Sequence, residues 1–165
     1  MERASLVVVD IDGVIADVRH RLHFLAGRRR DWDGFFAAAP EDPPLAEGRS
    51  EIERAIDDGL SVVYLTGRPE RCRASTDAWL AQHGFPSAPL HMRGERDRRP
   101  ARVFKVDMLR ELDATADVIR VIDDDDAVVR AIRAAGFTVV HATWMHADDS
   151  AQGALFEAQE GLGRT

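Results

Sequence analysis

Two carboxylates stand two residues apart, directly after an apolar run near the start of the chain. Asp10 and Asp12 follow the stretch "LVVV" and precede Gly13, and a second acidic group, "DDDD", occupies residues 123–126. Two like charges at close range repel, unless a cation lies between them or one group keeps its proton. The pattern therefore predicts either a bound metal ion or a carboxylic acid that takes part in catalysis.

Two further polar signals accompany the acidic residues. One is the tripeptide "TGR", Thr66 to Arg68, and the other is Lys105, the only lysine among 22 basic residues. A hydroxyl group and an ammonium group are suited to binding and neutralising a phosphoryl group during its transfer. Because the chain uses arginine at every other basic position, we expect the single lysine to have a specific role.

The elements that must position these residues alternate between strands and helices. Strands are predicted at residues 5–9, 60–65, 88–92, 117–122 and 137–141, and helices at 45–58, 70–83, 102–112 and 126–135. This alternation predicts an α/β fold, a Rossmann-like three-layer sandwich around a five-stranded parallel sheet. In such a sheet, ligands bind at the carboxyl ends of the strands, and the polar signals follow or flank these ends.

One segment, residues 16–44, does not fit the alternation. It contains two short helical patterns, "RHRLHFLAG" and "DWDGFFAAA", followed by the proline-rich "PEDPP". Connections in α/β units usually take about 2–6 residues, so this one is too long to be a simple loop. We therefore expect a small helical cap inserted after the first strand of a single domain that spans residues 1–165. The segment after Asp148 is predicted to form a terminal helix.

Composition limits the classes of function. The net charge of −7 disfavours general binding to polyanions, and the single cysteine, Cys72, excludes an internal disulfide and a cysteine zinc cluster. No apolar stretch approaches the roughly 20 residues that a membrane-spanning helix needs. The first residues also lack the pattern of a secretory signal, so we expect a cytoplasmic protein with no membrane contact.

The residue types point to a specific reaction. Asp10, together with Asp123 or Asp124, can hold Mg²⁺, which prefers oxygen ligands. Asp10 is then able to attack phosphorus as a carboxylate nucleophile and form an aspartyl-phosphate. Asp12 is expected to offer its backbone carbonyl to the metal, while its protonated side chain donates to the leaving oxygen. Gly13 would allow the backbone to approach the substrate closely.

These motifs, in this order, resemble those of the haloacid dehalogenase superfamily of phosphatases. The stretches "LHMRGERDRRPARVFK" and "VIDDDDAVVRAIRAAG" further resemble the 3′-phosphatase domain of phage-type polynucleotide kinase–phosphatases. The resemblance implies an aspartyl-phosphate mechanism with Mg²⁺. The implied catalytic residues are Asp10, Asp12, Thr66 and Lys105, the implied metal ligands are Asp10, Asp12, Asp123 and Asp124, and the implied substrate contacts are Gly13, Gly67, Arg68 and Arg21.

The expected substrate is a phosphomonoester, with nucleotide or polynucleotide 3′-phosphate ends favoured by the resemblance, and no obligate protein partner is expected. A small-molecule phosphatase acting on a 5′-mononucleotide or a sugar phosphate is an alternative, because the motifs build the reaction centre and not the leaving-group pocket. A non-catalytic phospho-ligand or signalling module is an alternative of another class. Signalling receivers, however, place their acidic pair on the first strand and the phosphorylated aspartate on the third.

Overall fold

A computed structural model describes residues 2–145 together with Phe156 and Glu160, so the predicted terminal helix after Asp148 lies outside the described residues. Five parallel strands form one sheet in the order β3-β2-β1-β4-β5. The strands are β1 (Ser5–Val9), β2 (Ser61–Pro69), β3 (Leu90–Arg93), β4 (Asp117–Asp123) and β5 (Val139–His141).

Within residues 2–145, five α-helices accompany the sheet: α1 (Trp32–Ala37), α2 (Ala46–Asp57), α3 (Arg73–Gln82), α4 (Ala101–Thr115) and α5 (Asp126–Ala134). Three short 3₁₀ helices cover Arg19–Leu25, Ala39–Glu41 and Glu70–Cys72. None of the helices in the described part of the chain is long and apolar enough to cross a lipid bilayer.

The helices cover both faces of the sheet. One apolar cluster joins α2 and α3 to one face, with Ile52 and Trp79 packed among residues of β1 and β2. A second cluster joins α4 and α5 to the opposite face, with Leu109 and Ile132 among its fully buried members. The predicted α/β three-layer sandwich with a five-stranded parallel sheet is therefore confirmed.

β1 is the central strand and explains where a site can form. Its residues Val7, Val8 and Val9 have no exposed surface, as expected for a β-branched run covered on both faces. The chain runs from β1 outward to β2 and β3, then returns to the other side of β1 with β4. The gap between the carboxyl ends of β1 and β4 is thus the point where the strand order reverses, which is the usual ligand site of such sheets.

The insert after β1 packs on the end of the sheet. A bridge between Ala16 and Pro44 lies at its base, and Leu45 donates its N–H to the carbonyl of Ile15 at 2.8 Å. Three aromatic side chains of α1 (Trp32, Phe35 and Phe36) are buried in the same apolar cluster as β1 and α3. Their helical spacing therefore reflects packing of the insert onto the domain.

The predicted and observed element boundaries differ by up to four residues, and two of the differences lie next to the "TGR" tripeptide. β2 continues through the "TGR" tripeptide to Pro69, whereas the apolar pattern predicts a strand that ends at Leu65. The helix predicted from residue 70 begins with a 3₁₀ turn and becomes α-helical only at Arg73. The first difference arises because Thr66 and Arg68 are buried polar residues, which a hydrophobic pattern does not register.

Candidate active site

The loop after β1 is held in shape by its own backbone. The N–H groups of Val14, Ile15 and Ala16 all donate to the carbonyl of Ile11, and Asp10 donates its N–H to Ile122 of β4 at 3.0 Å. Gly13 has a positive φ of 79°, and a Cβ there would lie 1.9 Å from Oδ2 of Asp124. Glycine is therefore required both by the turn and by the close approach of the second acidic segment.

Three aspartates converge at the reversal point of the sheet, and we call them the acidic cluster: Asp10, Asp123 and Asp124. Asp10 follows β1, while Asp123 ends β4 and Asp124 begins the next loop. Each offers a carboxylate oxygen, these oxygens lie within 4.8 Å of one another, and all three residues are buried. Such an oxygen-only set is the donor type that Mg²⁺ selects.

Lys105, from the second turn of α4, is the cation that faces the acidic cluster. Its Nζ donates to Oδ2 of Asp123 at 2.5 Å and lies 3.1 Å from Oδ2 of Asp10. The side chain is buried, and the neighbouring carboxylates raise its pKa against the opposing effect of burial. The lysine is therefore permanently charged, and the two carboxylates that it contacts share one positive charge.

The acidic cluster carries more negative charge than Lys105 offsets. Burial raises the pKa of Asp10 to about 7, with Lys105 opposing the shift and Asp123 adding to it. Burial, followed by the charges of Asp10 and Asp123, also raises the pKa of Asp124 well above its usual range. Carboxyl groups in this condition gain from a further cation, because it removes the repulsion that keeps protons on them.

Asp12 lies in a different environment, which we call the arginine cluster: Asp12, Arg21, Asp42 and Arg68. Arg68 donates to Oδ1 of Asp12 from Nε at 3.0 Å and from Nη2 at 2.6 Å, and Arg21 donates to the same oxygen at 2.9 Å. Both arginines also donate to Oδ2 of Asp42, Arg21 at 2.7 Å and Arg68 at 3.1 Å. Two carboxylates and two guanidinium groups thus form one buried, charge-balanced network.

The network controls the charge and direction of Asp12. Burial alone would raise its pKa, but the charges of Arg68 and Arg21 outweigh this and lower the pKa to about 2. Its Oδ1 takes all three arginine bonds, while its buried Oδ2 has no hydrogen-bond partner within the part of the chain that the structure describes. The arginines therefore hold Oδ1 of Asp12 in place, while Oδ2 is available for proton transfer.

Two expectations from the sequence meet a different geometry here. Asp12 is expected to carry a proton, but its surroundings favour the ionised form, because the arginine charges stabilise a carboxylate. Arg21 and Arg68 are expected to contact the substrate phosphate, but both are fully buried and bonded to Asp12 and Asp42. In this structure they position a carboxylate instead of facing a ligand.

Thr66 and Gly67 lie on the extended end of β2, next to the first loop. Thr66 is buried, and its Oγ1 accepts a hydrogen bond from the backbone N–H of Arg68 at 3.1 Å. Among the described residues, the Thr66 hydroxyl donates no hydrogen bond, so its proton is able to point toward a phosphoryl oxygen. The extension of β2 beyond its apolar part is what brings the "TGR" residues level with the ends of β1 and β4.

Asp42 is a functional residue that sequence reasoning missed. It lies in the proline-rich "PEDPP" stretch at the end of the insert and is only 1% exposed. Besides both arginines it contacts Nε2 of His20 at 2.7 Å, and its carbonyl accepts from the indole of Trp79. The only signal in the sequence is an acidic residue at the end of an insert that also contains Arg21.

The last two aspartates of the "DDDD" run, Asp125 and Asp126, have a structural role at the start of α5. Oδ1 of Asp125 accepts from the N–H groups of Ala127 and Val128, and so caps the first turn of α5. Asp126 is exposed and pairs with Arg130 one turn later. The first two members of the run therefore belong to the site, and the last two start the helix.

A family model for the polynucleotide kinase PNKP phosphatase domain matches residues 4–144 of this chain. Curated relatives match over a shorter stretch. The human membrane-associated phosphatidylinositol transfer protein 2 is 41% identical over 59 residues, which is 33% of this chain and 4% of that protein. The mouse membrane-associated phosphatidylinositol transfer protein 3 is 35% identical over 63 residues, 35% of this chain and 6% of that protein. The chain thus spans only a small part of the curated relatives it matches.

Solved structures share the fold at low sequence identity. A chain of the Pnkp1/Rnl/Hen1 RNA repair complex superposes with a TM-score of 0.70 at 23% identity, over 84% of this chain and 42% of that chain. The class C acid phosphatase from Bacillus anthracis, solved with tungstate bound, gives a TM-score of 0.63 at 16% identity, over 95% of this chain and 73% of that one. At these identities the likeness concerns the fold.

Proposed function

This chain belongs to the family of PNKP phosphatase domains, a branch of the haloacid dehalogenase phosphatases, and from that premise we propose that it hydrolyses nucleotide or polynucleotide 3′-phosphates with Mg²⁺. One observation carries the mechanism: Asp10, the first acid after β1, joins Asp123, Asp124 and Lys105, while Asp12 is held apart by two arginines. Two carboxylates of one loop are thereby suited to two roles.

The residues fit a divalent cation. Three buried carboxylates face one ammonium group, and burial together with mutual repulsion raises the pKa of Asp10 and Asp124. Asp10, Asp123 and Asp124 would hold the ion, and the backbone carbonyl of Asp12 is the further ligand that the family resemblance implies. A bound Mg²⁺ would supply positive charge that offsets the carboxylates and polarises the phosphoryl group.

Asp10 is the proposed nucleophile. Its carboxylate oxygen forms a bond to phosphorus as the bond from phosphorus to the ester oxygen breaks, which gives an aspartyl-phosphate and an alcohol. Lys105, 3.1 Å from Asp10, is suited to neutralising charge on the transferring group, and Thr66 offers its hydroxyl proton to a phosphoryl oxygen. Water then attacks phosphorus, which releases inorganic phosphate and restores Asp10.

Asp12 is the proposed acid and base, acting through its free Oδ2. In the second step the ionised carboxylate accepts a proton from the attacking water, and its lowered pKa means that it starts this role ionised. The first step needs the same oxygen protonated, so that it can donate to the leaving alcohol. A phosphate dianion bound nearby raises the pKa of a carboxyl group, since like charges disfavour its ionised form.

A nucleotide 3′-phosphate is the proposed substrate. The family match supports it, and so do three arginines, Arg71, Arg93 and Arg98, which line a cavity beside Gly67 although the chain as a whole is acidic. With a net charge of −7, contact with nucleic acid is expected to be confined to the terminal phosphate and its nearest neighbours. A solved neighbour is part of an RNA repair complex, which is in keeping with such a substrate.

The test is a panel of phosphomonoesters assayed with Mg²⁺ and with EDTA. It compares 3′-phosphorylated DNA and RNA oligonucleotides, 3′- and 5′-mononucleotides, and several sugar phosphates. We expect the highest kcat/KM for a 3′-phosphate and no turnover in EDTA. A sugar phosphate or 5′-mononucleotide that exceeds every 3′-phosphate by about tenfold, or about 1.4 kcal/mol in transition-state binding, would overturn the substrate assignment.

A further inference from the structure

A cavity of about 260 Å³ lies beside the reaction centre, between the insert and the ends of β2 and β3. It is lined on the insert side by Asp33 and Phe36 of α1, and on the sheet side by residues that follow Thr66 and by the chain after β3. The lining residues used below are Gly67, Arg71, Arg93, Glu95 and Arg98. Gly67 directly follows Thr66 on β2, so the cavity adjoins the segment that carries a proposed phosphoryl contact.

Arg93, the last residue of β3, is a buried cation with unused donors. It is 2% exposed, and its Nη1 donates to the carbonyl of Arg99 at 2.7 Å. Its Nε and Nη2 have no hydrogen-bond partner among the described residues. Burial lowers the pKa of Arg93 to about 10, which reflects the cost of keeping this charge away from water.

The neighbours of Arg93 do not satisfy it. The nearest carboxylate, Asp97, is 3.7 Å from Nη1 and is already bonded to Arg99, at 2.6 Å from Nη2 and 3.1 Å from Nε. The guanidinium group lies over the ring of Phe104 at 4.5 Å, a contact that supplies no hydrogen-bond acceptor for these two donors. Buried polar groups are nearly always hydrogen-bonded, so two donors of one side chain without a partner among the described residues call for a further acceptor.

The charges around the cavity favour an anion. Arg71 is matched by two lining carboxylates, Glu95 at 2.8 Å and Asp33 at 3.2 Å. Arg98 instead donates to backbone carbonyl groups of Glu95 and Asp97, which leaves its charge unneutralised by those bonds. Three arginines against two carboxylates make the cavity wall positive in a protein that is negative overall.

We propose that this cavity binds a second phosphoryl group of the substrate, on the leaving-group side, with Arg93 as the main ligand and Arg98 as its assistant. The inference rests on the proposed function. It gives the substrate class as a nucleotide that carries two phosphoryl groups, the reacting 3′-phosphate and one further group. That further group is either the phosphodiester to the preceding nucleotide or a 5′-phosphate on the same nucleoside, and both present the same anionic oxygens.

The position of Arg93 separates it from the reacting phosphate. Arg93 pairs in register with Pro69, three residues beyond Thr66 on β2. Three residues of extended chain span about 10 Å, so Arg93 and Thr66 serve different groups of one ligand. A rotation of the guanidinium group into the cavity that it lines would present Nε and Nη2 to two oxygens of one phosphoryl group, which is the bidentate geometry that arginine favours.

The experiment compares kcat/KM for three substrates of one base: a nucleoside 3′-monophosphate, the nucleoside 3′,5′-bisphosphate and a dinucleotide with a 3′-phosphate. We expect the better of the last two to exceed the monophosphate by roughly 10- to 100-fold, the range of a charge-assisted hydrogen bond. The arm with the larger gain identifies the source of the second phosphoryl group. Arg93→Gln should bring this ratio close to one, and Arg98→Gln should reduce it by a smaller factor.

Arg130→Gln is the matched control, since Arg130 is an exposed arginine on α5 that pairs with Asp126 far from the cavity lining. Its ratio should equal that of the unmodified chain. A ratio near one in the unmodified chain, or an unchanged ratio in a folded Arg93→Gln protein, would overturn the proposal. If circular dichroism shows that Arg93→Gln does not fold, the Arg98→Gln protein provides the test. An unchanged ratio of kcat/KM values in Arg98→Gln would then overturn the proposal.

Failure of the cavity proposal and failure of the proposed function give different results. An enzyme that hydrolyses the monophosphate and the bisphosphate equally well keeps its proposed function and loses the second phosphoryl site. If no phosphate is released from any substrate, the proposed function fails. In that case the ratio of the dissociation constants of the bisphosphate and the monophosphate, measured by calorimetry, still tests the cavity and should show the same gain and the same dependence on Arg93.

Discussion

The acidic cluster and the arginine cluster begin two residues apart on one loop, yet their charges are arranged in opposite ways. In the acidic cluster three buried carboxylates lie close together, and the ammonium group of Lys105 contacts two of them, Asp10 and Asp123. In the arginine cluster, Asp12 and Asp42 are balanced by two guanidinium groups. In the first cluster, burial and mutual repulsion raise the pKa of Asp10 and Asp124, so these groups gain from a further cation. In the second cluster, each carboxylate is bonded to both arginines. The acidic cluster is therefore suited to binding a cation, whereas the arginine cluster fixes the position of Asp12.

The largest expected effect is on the nucleophile of the acidic cluster. Asp10→Asn keeps the shape of the side chain but replaces a nucleophilic carboxylate with an amide, so we expect kcat to fall by more than about 10⁴-fold. Steady-state assays with a 3′-phosphate and with an aryl phosphate measure this. Asp126→Asn, in the same acidic run but exposed on α5, is the control and should retain activity. Appreciable turnover by Asp10→Asn would assign the nucleophile elsewhere.

Asp12 should respond differently from Asp10, because its role depends on the leaving group. Asp12→Asn removes the proton donor, and we expect kcat for an alkyl phosphate to fall by about 10²- to 10⁴-fold. An aryl phosphate, whose leaving group needs little protonation, should lose much less. Equal losses on both substrates would indicate that Asp12 acts through the shape of the arginine cluster and not through proton transfer.

Lys105 is the link between the acidic cluster and the transferring group. Lys105→Ala should lower kcat by about 10²- to 10³-fold, the usual effect of losing a preorganised charge at a reacting oxygen. Lys105→Arg, which keeps the charge on a larger head group, should recover part of the rate. Near-normal kinetics for Lys105→Ala would mean that the ammonium group only neutralises Asp123, with which it makes its shortest contact.

Substitutions in the two clusters should change the free energy of unfolding in opposite directions. A substitution at Asp42 tests the arginine cluster. Burial raises the pKa of Asp42 against the opposing bond from Arg21, but Asp42→Asn would leave two buried guanidinium groups facing one carboxylate. We expect this uncompensated charge to dominate and the free energy of unfolding to fall by about 3 kcal/mol. Asp58→Asn, which breaks an exposed pair with Arg120, is the control and should change stability by less than about 1 kcal/mol. Denaturant unfolding measures both. An unchanged midpoint for Asp42→Asn would show that the arginine cluster is not a balanced network.

The same measurement on the acidic cluster should give the opposite sign and a smaller change. Asp124→Asn removes a carboxylate whose pKa is raised by burial and by its acidic neighbours, so its charge opposes folding at neutral pH. Without metal we expect the variant to be more stable by roughly 1 kcal/mol, or about 3 °C in Tm. Added Mg²⁺ should stabilise the unmodified chain and not the variant. Destabilisation without metal would contradict the repulsion that we infer.

The sequence is sufficient to predict the strands and the edge of the sheet at which the site forms. Apolar runs and helical periodicity predict all five strands within a few residues, and the motif order brings Asp10, Thr66 and Asp123 to one edge of the sheet. These features are local, because a strand or a helix is specified mainly by residues close in the chain. The parallel order then follows from the alternation of the two elements.

The arginine cluster was not predictable in the same way. Asp12, Arg21, Asp42 and Arg68 are separated by up to 56 residues, and nothing in the local pattern shows that they bond to one another. Buried charges lie in segments that composition assigns to turns or to substrate contacts. The unused donors of Arg93 were invisible for the same reason, since hydrogen-bond satisfaction is a property of the packed chain and not of any stretch of sequence.

The central claim is that the acidic cluster hydrolyses a phosphomonoester through Asp10 only when Mg²⁺ completes it. The most direct measurement is release of inorganic phosphate from a 3′-phosphorylated oligonucleotide, followed as Mg²⁺ is titrated into chelator-treated protein, with Asp10→Asn run in parallel. We predict no release without the ion, saturating release as it is added, and none from Asp10→Asn at any concentration. Release at full rate in excess EDTA, or from Asp10→Asn, would contradict the account.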